Sequence, residues 1–238
     1  MTLDGTNTWL IEHGNGQHLV IDPGPLGHEK EIMALTGGRI SAIFLTHRHA
    51  DHSECAPELA SLSRAEVFAK DPQFASNDKS FLSNDLVFEF DEITVRVIGA
   101  PGHTSDSVAF LVTSESEIAL FTGDTILGDG SSIITFPDGN IGDYLNSLQE
   151  LEDTMRAQNR AVPLLPGHGR THPDSLPLIL KYRTHRLERL AQIRNAIAQG
   201  SADAKSIVEV VYKDVSEDLR PAVFMVVEAQ LAYLNEIA

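Results

Sequence analysis

The stretch Ala42-Ile43-Phe44-Leu45-Thr46-His47-Arg48-His49-Ala50-Asp51-His52 decides how the chain is read. Four apolar residues in a row have the pattern of a buried strand, and three histidines with an aspartate follow at once. With this chain's own residue frequencies, a chance His-x-His-x-Asp-His has a probability of about one in a thousand. Imidazoles two positions apart, just past a strand end, can turn their nitrogens toward one ion. Asp51 and His52 can reach a second ion across the turn. The pattern points to metal ligation.

Outward from this point the chain is made of short apolar runs. Residues 8–11 and 19–22 flank Gly14-Asn15-Gly16 and read as a hairpin. Further strand candidates are 42–45, 67–69, 86–90, 93–98, 107–112, 117–121 and 162–165, with helical stretches at 28–35, 57–63 and 143–156. Strands in groups of two or more, interrupted by helices, predict a layered α+β sandwich. After Pro173 the texture changes: 176–199, 202–215 and 216–237 read as three helices, with Gly200 stopping the first. A boundary is therefore expected near residue 174, between a catalytic unit of residues 1–174 and a small helical unit of residues 175–238.

The 238 residues are 42% apolar, which suits an ordinary globular chain and excludes disordered and fibrous classes. One cysteine, Cys55, excludes a disulfide framework and fits a reducing cytoplasm. No run approaches the roughly 18 apolar residues of a spanning helix, so membrane insertion is not expected. There are 18 Lys+Arg against 34 Asp+Glu, and the imbalance is uneven. Residues 1–174 carry 10 basic and 26 acidic residues, whereas residues 175–238 carry 8 of each. So negative a field repels duplex DNA and acidic membranes.

Three more ligand candidates each follow an apolar run and have glycine beside them. They are His103 in Ala100-Pro101-Gly102-His103-Thr104, Asp124 in Phe121-Thr122-Gly123-Asp124-Thr125, and His168 in Leu165-Pro166-Gly167-His168-Gly169. With these seven positions in order, the chain resembles the metallo-β-lactamase-fold metallohydrolases. The resemblance implies a four-layer αββα sandwich and two divalent ions, with zinc expected. By it, His47, His49 and His103 hold one metal, Asp51, His52 and His168 hold the other, and Asp124 bridges them. Asp22 and Thr46 match positions that orient ligating imidazoles. For Asp22 an Asp-Pro-Gly turn with no part in the site is the competing reading. His13, His18, His28, His172 and His185 match no metal position and are expected at the surface or in packing.

The resemblance implies a binuclear hydrolase in which a metal-bridging hydroxide attacks an ester, thioester or phosphodiester, with Asp51 carrying protons. Two dications, two carboxylates and a hydroxide sum to about +1, which favours anionic or carbonyl substrates. Aspartate rather than cysteine at position 124 argues against antibiotic hydrolysis, and His49 in place of glutamate argues against diiron redox chemistry. Gly5-Thr6-Asn7-Thr8, Gly123-Asp124-Thr125-Ile126-Leu127-Gly128, Pro166-Gly167-His168-Gly169 and His185-Arg186 resemble the β-lactamase-like protein two subfamily. That subfamily contains endoribonucleases with a C-terminal winged-helix-like domain, which makes single-stranded RNA an alternative substrate and predicts the three terminal helices.

The first of those helices carries Lys181, Arg183, Arg186, Arg189 and Arg194 against Glu188. At roughly 100° per residue, Arg183 and Arg194 are expected on the face of Leu176, Leu187 and Leu190. Either such arginines pair with carboxylates of the acidic unit and dock the two parts, or Arg183 and Arg186 reach the metals and clamp a phosphate. One Trp and four Tyr leave little aromatic platform for an RNA channel. A non-catalytic, metal-binding interaction protein is the reading from a different class.

Overall fold

The expected hairpin forms, with β1 (Trp9–His13) and β2 (Gln17–Ile21) pairing antiparallel and Ile11 opposite Leu19. The computed structural model describes residues 5–134, 136–201 and 203–237. Beyond the hairpin, α1 (Glu29–Leu35) leads to β3 (Ile40–Phe44), which pairs parallel with β2. Two helices, α2 (Ala50–Ser53) and α3 (Ala56–Ser63), then lead to β4 (Glu66–Phe68), parallel to β3. The second sheet has the order β5 (Val87–Phe90), β6 (Ile93–Gly99), β7 (Val108–Thr113), β8 (Ile118–Gly123) and β9 (Leu164–Pro166). It is antiparallel except where β9 joins β8, across α4 (Ile141–Ala157).

The strands read as unbroken apolar runs because both faces of each sheet are covered. Side chains alternate across a strand, so Leu19, Ile21 and Phe44 meet Val95, Val97 and Phe110 between the sheets. Val20, Ile43 and Leu45 face the other way, onto Ile32 of α1 and Leu59 of α3. Ala109, Leu111 and Leu120 likewise face Tyr144, Leu148 and Leu151 of α4. The order of layers is helix, sheet, sheet, helix.

The C-terminal part is helical, and among the described residues no strand follows β9. It comprises α5 (Ser175–Ala198), α6 (Ala204–Val211) and α7 (Arg220–Glu236). Asp174 caps α5 by accepting the Leu176 N–H, and a reciprocal Asp203–Ser206 capping box starts α6. The helix expected over 202–215 is shorter than that, ending at Val211 where the Val-Val-Tyr run disfavours helix. Their buried side chains share one core with β8 and α4.

One expectation about α5 is corrected. Its buried face runs through Ile179, Tyr182, Arg186, Leu190 and Ile193, while Leu187 is 46% exposed and Arg194 is also exposed. The i, i+3, i+4 series from Ile179 selects Arg186; counting from Leu187 rotates the face by one residue, about 100°. The arginine on the apolar stripe is thus Arg186, neither Arg183 nor Arg194.

Phe44 is fully buried between the sheets, stacked on Phe68 at 4.9 Å and edge-on to Phe110 at 5.4 Å and Phe88 at 5.5 Å. Phe44→Ala is expected to lower the unfolding free energy by about 3–5 kcal/mol, measured by urea denaturation.

Candidate metal centre

Strand direction gathers the site. Parallel pairing points the C-terminal ends of β2 and β3 the same way. In the second sheet, β6 and β8 both run antiparallel to β7, and β9 runs with β8, so these three also end together. The two edges meet where Val108 N–H donates to Thr46 O at 2.8 Å. Asp22 follows β2, His47 to His52 follow β3, His103 follows β6, Asp124 follows β8 and His168 follows β9.

The seven expected ligands come together in three overlapping groups whose donor atoms lie within 4.8 Å of one another: His47, His49 and His103; His47, His52 and Asp124; Asp51, His52 and His168. Asp124 lies between the others, with Oδ1 3.4 Å from His52 Nε2 and Oδ2 3.4 Å from His168 Nε2 and 3.7 Å from His103 Nε2. Glycine is required beside it, since a Cβ on Gly167 would lie 2.6 Å from Asp124 Oδ1 and 2.7 Å from the His52 ring. His13, His18, His28, His172 and His185 join none of these groups.

Outer partners decide which ring nitrogen faces inward. His52 Nδ1 donates to Asp22 Oδ2 at 2.9 Å, His168 Nδ1 to Gly5 O at 2.8 Å, and His103 Nδ1 to Ile133 O. Thr46 Oγ1 spends its proton on Asp22 Oδ2 at 2.7 Å, so it can only accept from His47 Nδ1, 3.0 Å away. In its neutral form each of these rings therefore turns its Nε2 lone pair to the centre. His47 Nε2 and His103 Nε2 both lie 3.1 Å from His49 Nδ1, and His52 Nε2 lies 3.3 Å from His168 Nε2. Asp124 Oδ1 is buried with no hydrogen-bond partner. Converging imidazole nitrogens and carboxylate oxygens are what a divalent cation pair would satisfy, and imidazole with carboxylate suits zinc. The residues fit the group.

Asp22 proves to be no idle turn residue. It is 1% exposed and held at φ 52°, where its carboxylate also accepts the Thr46 N–H at 2.8 Å. Three contributors carry no role in the sequence reading. Gly5 O and Thr6 Oγ1, the latter donating to Asp51 Oδ2 at 3.0 Å, lie in the Gly5-Thr6-Asn7-Thr8 stretch, where a shared motif is the only signal. Ile133 O has no side-chain signal at all. Arg48 turns outward to Asp138 (2.7 Å), Asp106 (3.4 Å) and Asp71 (4.0 Å). Arg183 pairs with Glu152 at 3.4 Å, and Arg186 donates to Ser132 O at 3.0 Å.

A profile of the Metallo-beta-lactamase superfamily matches residues 1–168. The Beta-lactamase-like protein 2 homolog of Drosophila melanogaster is 30% identical over 258 aligned positions, covering 99% of this chain and 84% of that protein. The chain belongs to the metallo-β-lactamase superfamily. This metallo-β-lactamase-superfamily hydrolase is also 29% identical to the Atrochrysone carboxyl ACP thioesterase of Aspergillus chevalieri, over 91% of the chain and 71% of that protein. In fold it is similar to a metallo-beta-lactamase family protein of Thermus thermophilus, with a TM-score of 0.75, 22% identity, and 97% of this chain and 88% of that one covered. A beta-lactamase domain protein of Burkholderia ambifaria gives a TM-score of 0.77 at 20% identity, covering 98% of this chain and 83% of that one. The superfamily typically binds metal ions, and no helix of this member is long and apolar enough to cross a membrane.

Without metal, the imidazoles of this superfamily member divide into two sets. Burial holds His47, His49 and His103 below their ordinary range, so they cost stability as pH falls through about 6.5, where the unfolded chain takes up protons that the folded chain refuses. Burial also opposes charge on His168, but Asp124 and Asp51 outweigh it and raise its pKa to about 10; for His52 burial is likewise outweighed, by Asp22, and its pKa is raised. Those two contribute stability that is fully present below about 6.5 and lost as pH climbs toward their folded values. Chelator-treated protein is expected to melt highest near neutral pH and lower toward both about pH 5 and about pH 9. Melting scans in EDTA check this, and a steady rise through the alkaline side would contradict it. Asp22→Asn is expected to weaken metal binding by roughly 10–100-fold with the fold retained, measured by calorimetric titration.

Proposed function

We propose that the chain is a binuclear metal-dependent hydrolase acting on small ester or thioester substrates. The carrying observation is the set of inward lone pairs on His47, His103, His52 and His168 around a shared Asp124, with every outer nitrogen already bonded. His47, His49 and His103 would hold one ion, Asp51, His52 and His168 the other, with Asp124 between. Zinc suits the donors. Bound there, such a pair supplies a water nucleophile at neutral pH and polarises the scissile carbonyl. The chain's own residues do the rest. Asp124 is 12% exposed and fixed among imidazoles, whereas Asp51 keeps 20% of its side chain exposed, so Asp51 is the carboxylate able to exchange protons with solvent. Thr6 Oγ1 holds it in place.

In the same reading, residues 1–174 are the catalytic unit and residues 175–238 a helical unit, related to winged-helix domains by its three helices. The arginines favour a small substrate over RNA. Arg183 is taken by Glu152, Arg186 by a backbone carbonyl and Arg48 by aspartates, so none of these three stands ready to clamp a phosphate chain. The thioesterase name of the Aspergillus chevalieri relative agrees with that choice.

Metal-loaded protein assayed side by side on an aryl thioester, a bis-aryl phosphodiester and single-stranded RNA is expected to turn over the thioester fastest. His49→Ala and Asp124→Asn should each lower kcat/KM by roughly a thousandfold or more, about 4 kcal/mol of transition-state stabilisation. RNA cleavage with the thioester inert would overturn the substrate assignment. Turnover that survives EDTA would overturn the mechanism.

A further inference from the structure

We propose that Arg186 is a positioning residue of the metal centre: from α5 it reaches beneath residues 124–134 and holds the Ser132–Ile133 backbone, and through it Asp124 and His103. The inference rests on the binuclear reading above.

Arg186 is 3% exposed, donates from Nη2 to Ser132 O at 3.0 Å, and lies 5.2 Å over the Tyr144 ring. Its Nε is buried without a hydrogen-bond partner, and among the described residues no carboxylate lies in ion-pair range of it. A buried guanidinium without an anionic partner is costly to keep. If α5 needed only to dock, an apolar side chain of similar volume would serve at least as well. What the guanidinium touches accounts for its presence. Ser132 Oγ donates to the backbone carbonyl of Asp124, and the carbonyl of the next residue, Ile133, takes the proton of His103 Nδ1. Two adjacent residues, Ser132 and Ile133, thus tie the guanidinium to Asp124 and to His103. They lie in a segment without helix or strand, so their hydrogen bonds fix its path. One turn earlier on the same helix, Tyr182 Oη both donates to Leu127 O and accepts from Leu127 N–H, at 3.1 Å each. The helix therefore holds the 124–134 stretch at two points, Leu127 and Ser132. Arg183, on the same helix, is 38% exposed, pairs with Glu152 of α4 and touches no residue of the metal centre, so it provides the control.

The test is calorimetric titration of metal-free protein with Zn2+, alongside Co2+ absorption spectra, for wild type, Arg186→Met, Arg186→Lys, Ser132→Ala and Arg183→Met. Wild type is expected to take up two ions. Arg183→Met should bind both within about threefold of wild type, since Arg183 pairs with Glu152 and touches none of the candidate ligands. Arg186→Met should weaken one of the two binding events by roughly 10–100-fold, leave the other nearly unchanged, and alter the Co2+ spectrum. Arg186→Lys should recover part of the loss, and Ser132→Ala should shift in the same direction as Arg186→Met. A lower melting temperature in Arg186→Met with wild-type affinities and spectrum would overturn the proposal and leave Arg186 as packing. If Arg186→Met does not fold, wild-type affinities in both Arg186→Lys and Ser132→Ala overturn it equally. Absence of Zn2+ binding by wild type removes the binuclear reading and this inference with it, whereas normal wild-type binding with unaltered variants removes this inference alone.

Discussion

Lone pairs pointed at one another across about 3 Å repel unless something positive lies between them, and this constraint organises the end of the sandwich where the strands stop. Five imidazoles and two carboxylates in a largely buried space are unfavourable for an isolated protein. They persist because most are fastened from outside: His52 by Asp22, His47 by Thr46, His103 by Ile133 O, His168 by Gly5 O and Asp51 by Thr6. The fastening fixes tautomer and direction together, so the electrostatic cost is met by whatever cation enters rather than by rotation of the rings away from one another.

The rest of the fold can be understood as the means of bringing those fastenings to one place. Parallel pairing of β2 with β3, and of β8 with β9, requires crossovers, and α1 and α4 supply them while covering the outer sheet faces. The central Phe44 cluster keeps the two sheets in register, which holds Thr46, two residues beyond it, against Val108 and Gly123 of the opposite sheet. Core packing and ligand geometry are therefore coupled over a few residues of β3.

Much of this is legible in the sequence, for identifiable physical reasons. The seven candidate ligands that the fold gathers stand out because each follows an apolar run and, after the first motif, neighbours a glycine, a signature local enough to see without knowing what pairs with what. The hairpin at Gly14-Asn15-Gly16 and the layer pattern are legible for the same reason. Partnerships between a side chain and a distant carbonyl are not. Nothing in the residue type of Ile133 or Gly5 announces that its oxygen receives an imidazole proton. The face of α5 is misread from sequence because Leu187 is an exposed leucine, and one residue of phase moves the buried arginine from position 183 or 194 to 186. Asp22, ambiguous as a turn residue, is settled only by the buried triangle it makes with Thr46 and His52.

Charge distribution bears on which molecules can approach. The excess of acid lies in residues 1–174, and Arg48, placed between two ligating positions, points outward to draw Asp71, Asp106 and Asp138 from three separate segments around itself. One guanidinium among three carboxylates leaves that cluster negative, so a polyanion is repelled there. Screening by salt shortens the reach of that field but does not reverse its sign.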